Sequence, residues 1–120
     1  IWAKLDAGTE DYYRLVARSA VPFSRILDNL QAAARVRPIV IQTLFMAVRG
    51  TGPDEAELRA YADRLSAIAS SGGRIKLVQI HTVARPPAES WVAALPSETL
   101  EAIAAEVRAR TGLEVAVFGG

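Results

Sequence analysis

The chain has 120 residues, enough for one domain with a real core and too few for two ordinary ones. Hydrophobic residues make up 51% and charged residues 22%, a folding composition and not a disordered one. A net charge of +1 gives no electrostatic footprint for nucleic acid or an anionic membrane, and zero cysteines exclude disulfides, thiolate metal sites and cysteine nucleophiles within these residues.

No apolar run approaches the roughly 20 residues needed to span a bilayer. The first residues also lack the basic start and long apolar stretch of a signal peptide. A cytoplasmic protein is therefore expected. The chain opens without an initiator Met, inside what reads as a strand. It is accordingly read as a segment of a longer protein.

In chain order, the first strand is expected over residues 2–6 of "IWAKLDAG". Gly8-Thr9 gives a turn with an N-cap candidate for a short polar helix over 11–16. Pro22 suits a first helical turn, and Phe23, Ile26, Leu27 and Leu30 follow at helical spacing. Pro38 disfavours helical geometry at Arg37, so that helix should end near Val36. "PIVIQTLFMAV" reads as one strand buried on both faces. "RGTGPDEAE" is a loop in which Asp54 and Glu57 fit an acidic relative of the capping box. Leu58, Tyr61, Ala62, Leu65, Ile68 and Ala69 then form one helical stripe, stopped by Gly72-Gly73. "RIKLVQIHTV" is the third strand and "ARPPAES" the loop beyond it. Ser97 is expected to cap a last helix with the stripe Leu100, Ile103, Ala104 and Val107, and "EVAVFG" closes the chain as the fourth strand.

The order β-α-β-α-β-α-β implies an α/β fold of four parallel strands joined by crossover helices. Two architectures accept that order: an open doubly wound sheet, or part of a (β/α) TIM-like barrel. A glycine fingerprint after the first strand would favour the former, and "KLDAGTEDYY" offers a single Gly.

Several polar residues interrupt the apolar strands. Lys4 and Asp6 end the first, two apart and so on one face. Gln42 follows Ile39-Val40-Ile41 in the second, Gln79 and His81 share a face of the third, and Arg85 lies in the loop after it. All fall toward the C-terminal ends of their strands, where parallel α/β folds carry their ligand sites. Polar groups there are costly unless paired or liganded. Plainer roles exist for each: an edge-strand ion pair, a backbone-satisfying glutamine, a hydrogen-bonded core histidine. Gly50-Thr51-Gly52 lacks the Lys-Ser/Thr of a phosphate loop and reads as a turn. No paired carboxylates, serine elbow or metal-ligand set is legible, so no catalytic residue is assigned and no metal site is expected. The set suits gripping a polar small molecule instead, with Lys4 for a carboxylate, Asp6 and the glutamines for hydroxyls or amines, and Arg85 for an anion.

"WAKLDAGTEDYYRLV", "ILDNL", "IVIQTLF", "ELRAYADRL" and "VQIHTVARPP" together resemble the C-terminal half of radical S-adenosylmethionine (SAM) proteins, in particular the Fe–S oxidoreductases related to the wyosine-type tRNA-modifying enzymes. The resemblance runs over nearly the whole chain, and "KLDAGTE" and "ARPP" are its most specific pieces. It implies half of a partial (β/α) barrel in which a [4Fe–4S] cluster binds S-adenosylmethionine and yields a 5′-deoxyadenosyl radical. The cluster motif CxxxCxxC is absent, so the cluster is expected on residues outside this segment. On the same resemblance Lys4, Asp6 and Gln42 would face the cofactor, and Gln79, His81 and Arg85 the substrate. An unknown substrate and an electron donor would be the partners. A different class fits the same residues: a non-catalytic α/β module holding a nucleotide-like ligand. Four strands of a barrel leave two open edges, so the isolated piece is expected to be marginal or to self-associate.

Overall fold

A computed structural model describes residues 2–17, 20–83 and 90–119. Arg85, one of the substrate-facing candidates, lies outside the described residues. The elements run β1 (Trp2–Lys4), α1 (Glu10–Val16), α2 (Phe23–Val36), β2 (Ile39–Leu44), β3 (Ala47–Val48), α3 (Glu55–Ser70), β4 (Ile75–His81), β5 (Val92–Ala93), α4 (Ser97–Thr111) and β6 (Val115–Phe118).

The expected α/β class holds. Strands β1, β2, β4 and β6 form one parallel sheet in that spatial order, which is also their order along the chain. Parallel neighbours need a long return connection, and helices supply it each time. Alternation then sorts each strand into two faces. Ile39, Ile41 and Thr43 of β2 and Val78 and Ile80 of β4 are buried. They meet Leu30 and Ala34 of α2, Tyr61, Leu65 and Ile68 of α3, and Leu100, Ile103 and Val107 of α4 in a single core.

The other face carries Trp2, Lys4, Val40, Gln42, Leu44, Leu77, Gln79, His81, Ala116 and Phe118, all of them at least partly accessible. The helices therefore give their apolar stripes to one side of the sheet only. Two exposed aromatics stand at the two outer strands of the uncovered side, Trp2 on β1 at 60% and Phe118 on β6 at 43%.

The first strand, expected over residues 2–6, ends at Lys4, and three further details depart from the sequence reading. The run "PIVIQTLFMAV" is not one strand: β2 stops at Leu44, and Ala47–Val48 pairs antiparallel with Val92–Ala93 as a two-stranded ribbon. Val48 and Thr51 exchange backbone hydrogen bonds across Arg49 and Gly50, at φ 51° and 83°. A type I′ two-residue hairpin turn needs positive φ at both central positions, which Gly50 adopts freely. Secondly, α4 begins after Pro96 with no side-chain cap, so Ser97 is its first residue and not its cap. Thirdly, Asp54 caps α3 by accepting the Glu57 N–H at 2.7 Å, but the Glu57 carboxylate turns to the loop after β1 and not back onto Asp54.

Among the described residues no helix is long and apolar enough to cross a membrane.

Candidate functional site

The register assembles the polar strand residues into a row. Lys4 sits beside Gln42, Gln42 beside Gln79, and Gln79 beside Ala116, all on the uncovered face. The next row toward the C-terminal ends runs Leu44, His81, Phe118. A shallow hollow of about 280 Å³ opens at this end of the sheet, lined by Lys4, Gln42, Thr43, Leu44, His81 and Thr82. Three of the sequence-derived candidates thus share one hollow. Gln79 adjoins it in the row without lining it.

His81 is held there by stacking. Its ring lies 4.8 Å from that of Phe118 at 14°, and Phe45 N–H donates to its backbone carbonyl at 2.9 Å. The His81 Nε2 is shielded from water and has no hydrogen-bond partner among the described residues. Buried polar atoms are nearly always paired, so this ring nitrogen is a candidate contact for a group beyond the described residues. Thr82 is buried beside it, its Oγ accepting from the Leu95 N–H at 2.9 Å, which ties the strand end to the segment after β5.

Asp6 is placed differently. Strand β1 leaves the sheet after Leu5, whose N–H still donates to the Gln42 carbonyl at 3.0 Å. Asp6 Oδ1 then accepts the Leu44 N–H at 2.8 Å, continuing the ladder with a side chain. Lys4 Nζ stands 3.4 Å from the same oxygen, with the lysine side chain 60% exposed. Asp6 lines a separate, smaller hollow with Tyr13, Phe23 and Ile26, between β1 and the first two helices.

The interior polar network is the part that sequence reasoning missed. Thr43 Oγ donates to the Leu5 carbonyl at 2.7 Å, which leaves the Tyr61 hydroxyl as donor in their 2.6 Å contact. Burial holds the Tyr61 phenol well above its ordinary pKa; the Thr43 hydrogen bond pulls it down and the Asp6 charge adds to the rise. Glu57, also buried, accepts from the Gly8 N–H and from Thr9 Oγ. Arg64 Nε donates to the Gly8 carbonyl at 3.0 Å. The motif "DAGTE" is thereby locked onto α3. Gly8 is required by contact: a Cβ there would run into the backbone of Ala60 and Tyr61. The signals were present as a lone Gly after a strand, a Thr inside an apolar run and a Glu in a cap, but nothing in one chain pairs them across such separations.

A larger hollow of about 440 Å³ lies over the same end, between α1, the β3 turn and the start of α3. Asp11, Asp54 and Glu57 contribute to its wall together with Tyr12, Thr9 and Val48. Burial pushes the Tyr12 phenol up to about 12, with the charges of Glu57 and Asp54 adding to the rise. Its hydroxyl has no hydrogen-bond partner among the described residues.

Among the described residues no group of three or more His, Asp or Glu side chains is placed to hold a metal ion. Compared with known proteins, the chain matches no family model, no curated protein and no solved structure.

Proposed function

We propose that this chain is half of a parallel (β/α) barrel of radical S-adenosylmethionine type, and that its uncovered face lines the cavity for the cofactor and substrate. The observation that carries the reading is the polar row Lys4–Gln42–Gln79, in register on a face without helices, with the His81 Nε2, which has no partner among the described residues, above it. In a doubly wound sheet helices cover both faces; in a barrel they cover only the outside, and strands follow one another in chain order. The sheet order and the one-sided core support the second arrangement.

The donor set suits the polar parts of S-adenosylmethionine. Lys4 offers an ammonium to a carboxylate, Gln42 and Gln79 offer amides to hydroxyls, and His81 offers its orphaned nitrogen. It does not suit the cluster, since the chain holds no cysteine. When bound, the cofactor supplies one-electron hydrogen-abstraction chemistry; these residues bind it, orient it and exclude water. Asp6, bonded to the Leu44 N–H, acts chiefly by holding the end of β1 in place.

The test uses the full-length protein in which this sequence is encoded, purified without oxygen. Iron and sulfide are expected with S-adenosylmethionine-dependent 5′-deoxyadenosine, and replacing Gln42 and Gln79 by Leu should lower cofactor affinity about tenfold or more. Unchanged affinity overturns the assignment. The absence of cysteine keeps a second reading in place, a non-catalytic module that holds a nucleotide-like ligand in the same hollow. Ligand binding without iron or 5′-deoxyadenosine would select it.

A further inference from the structure

Helices α2 and α3 end where β2 and β4 begin, and the cations gathered there differ from those elsewhere. Lys4 pairs with Asp6, and Arg14, Arg59 and Arg110 each pair with a glutamate one helical turn away. No Asp or Glu occurs between Asp28 and Asp54 or between Asp63 and Glu89. The end of α2 and the start of β4 therefore meet with no carboxylate on either segment. Backbone bonds fix the meeting: Arg74 N–H donates to the Ala34 carbonyl and Ile39 N–H to the Arg74 carbonyl, each at 3.0 Å. Arg35, Arg37, Arg74 and Lys76 are thus gathered at one end of the sheet, all exposed. None of them makes an ion pair among the described residues, and Glu114 at the start of β6 makes none with Lys76.

Two of the four have a local task. Arg35 Nε donates to the Ser71 carbonyl at 2.9 Å and Arg74 Nη2 to the Val36 carbonyl at 3.1 Å, which satisfies carbonyls at the ends of α3 and α2. Each bond uses one donor of a five-donor fork. The side chains of Arg37 and Lys76 have no such partner among the described residues. Lys76 is set out by a bulge, since Ile39 faces Ile75 and Val40 faces Leu77, leaving it no opposite residue. Bulges commonly re-aim a side chain in this way. Between Arg35 and Arg37 stands Val36, exposed to 72%, more than any other large hydrophobic described.

We propose that this end of the sheet docks an acidic protein segment, whose carboxylates pair with Arg35, Arg37, Arg74 and Lys76 while an apolar side chain covers Val36. Guanidinium forks match carboxylates in geometry as well as charge. A nucleic-acid backbone would supply anions but nothing to cover Val36, and the net charge of +1 gives it no long-range attraction. The inference goes beyond the ligand reading and does not rest on it. The hollow lined by Lys4, Gln42 and His81 lies at the opposite, C-terminal ends of the strands, so partner and ligand can be held together.

A synthetic peptide of repeated Glu-Glu-Leu, titrated into ¹⁵N-labelled chain, tests the surface. The backbone amides of Val36, Arg37, Arg74 and Lys76 should shift together and saturate, with an affinity that falls as salt rises. The double variant Arg37→Glu/Lys76→Glu removes no internal hydrogen bond. It should keep the native far-ultraviolet circular dichroism and lower the affinity about tenfold or more. Val36→Ser should lower it about threefold. An oligouridylate of equal charge should bind more weakly and be indifferent to Val36→Ser. No shift at millimolar peptide, shifts confined to other residues, or a double variant that binds like the native chain overturns the proposal. Tighter binding of the oligouridylate overturns the protein partner in favour of a phosphate backbone.

Discussion

Asp6 Oδ1 accepts the Leu44 N–H at 2.8 Å, so the carboxylate of one strand end completes the hydrogen-bond ladder of its neighbour. Lys4 reaches the same oxygen from 3.4 Å, mostly in solvent. The two charges near the end of β1 are thus unequal partners. A half-buried carboxylate bonded to a backbone donor leaves that donor unsatisfied when removed, whereas an exposed ion pair contributes little. Asp6→Ala is expected to cost about 1–3 kcal/mol in urea denaturation and Lys4→Ala no more than about 0.5 kcal/mol. Equal losses from the two variants would contradict this division.

Gly8 approaches α3 so closely that a methyl group has nowhere to go, its nearest neighbours being backbone atoms of Ala60 and Tyr61. Backbone in a packed helix cannot swing aside as a side chain can. Gly8→Ala should therefore cost about 3 kcal/mol, the upper end of overpacking, or leave the chain insoluble. Gly50→Ala, where nothing lies within 4 Å of a built Cβ, should be much milder and limited to the cost of its positive φ. Denaturation midpoints of the two variants compare them directly.

The two perturbed phenols set an alkaline limit. Tyr12 is pushed up to about 12 and Tyr61 is also raised, in both cases mainly by burial. Between the ordinary tyrosine pKa near 10 and these higher values the unfolded chain has released protons that the folded chain retains. Stability should be unaffected by these groups below pH 10 and should fall as pH rises from 10 toward 12. Tyr61→Phe removes one such group and should flatten that fall, while losing about 1 kcal/mol at neutral pH with its hydrogen bond to Thr43. Thermal melts from pH 7 to 11.5 measure both effects; a fall as steep in the variant as in the native chain would be inconsistent with this account.

Local signals carried most of the fold. Pro22 and Pro38 bracket α2, Asp54 caps α3, and the apolar stripes of α3 and α4 bury much as their spacing requires. Strand alternation put Gln79 and His81 on one face, and the register adds Lys4 and Gln42 to it, while Asp6, expected on the face of Lys4, lies beyond the end of β1. What escaped was long-range. Nothing local divides "LFMAV" between the end of β2 and a ribbon whose other strand lies more than forty residues on. Equally, Glu57 satisfies a capping pattern in sequence, yet its carboxylate serves Gly8 and Thr9, 49 and 48 residues away. Such a partner is chosen by tertiary packing, which local propensity does not encode.

The central claim is that the uncovered face of the sheet holds a polar small molecule, and the single histidine makes it directly measurable. Titration of S-adenosylmethionine into ¹⁵N-labelled chain, followed through the His81 ring nitrogens and the side-chain amides of Gln42 and Gln79, should shift all three together with one saturable affinity. Saturation that moves only residues around Tyr12 and Asp54, or no shift at millimolar ligand, would contradict the account.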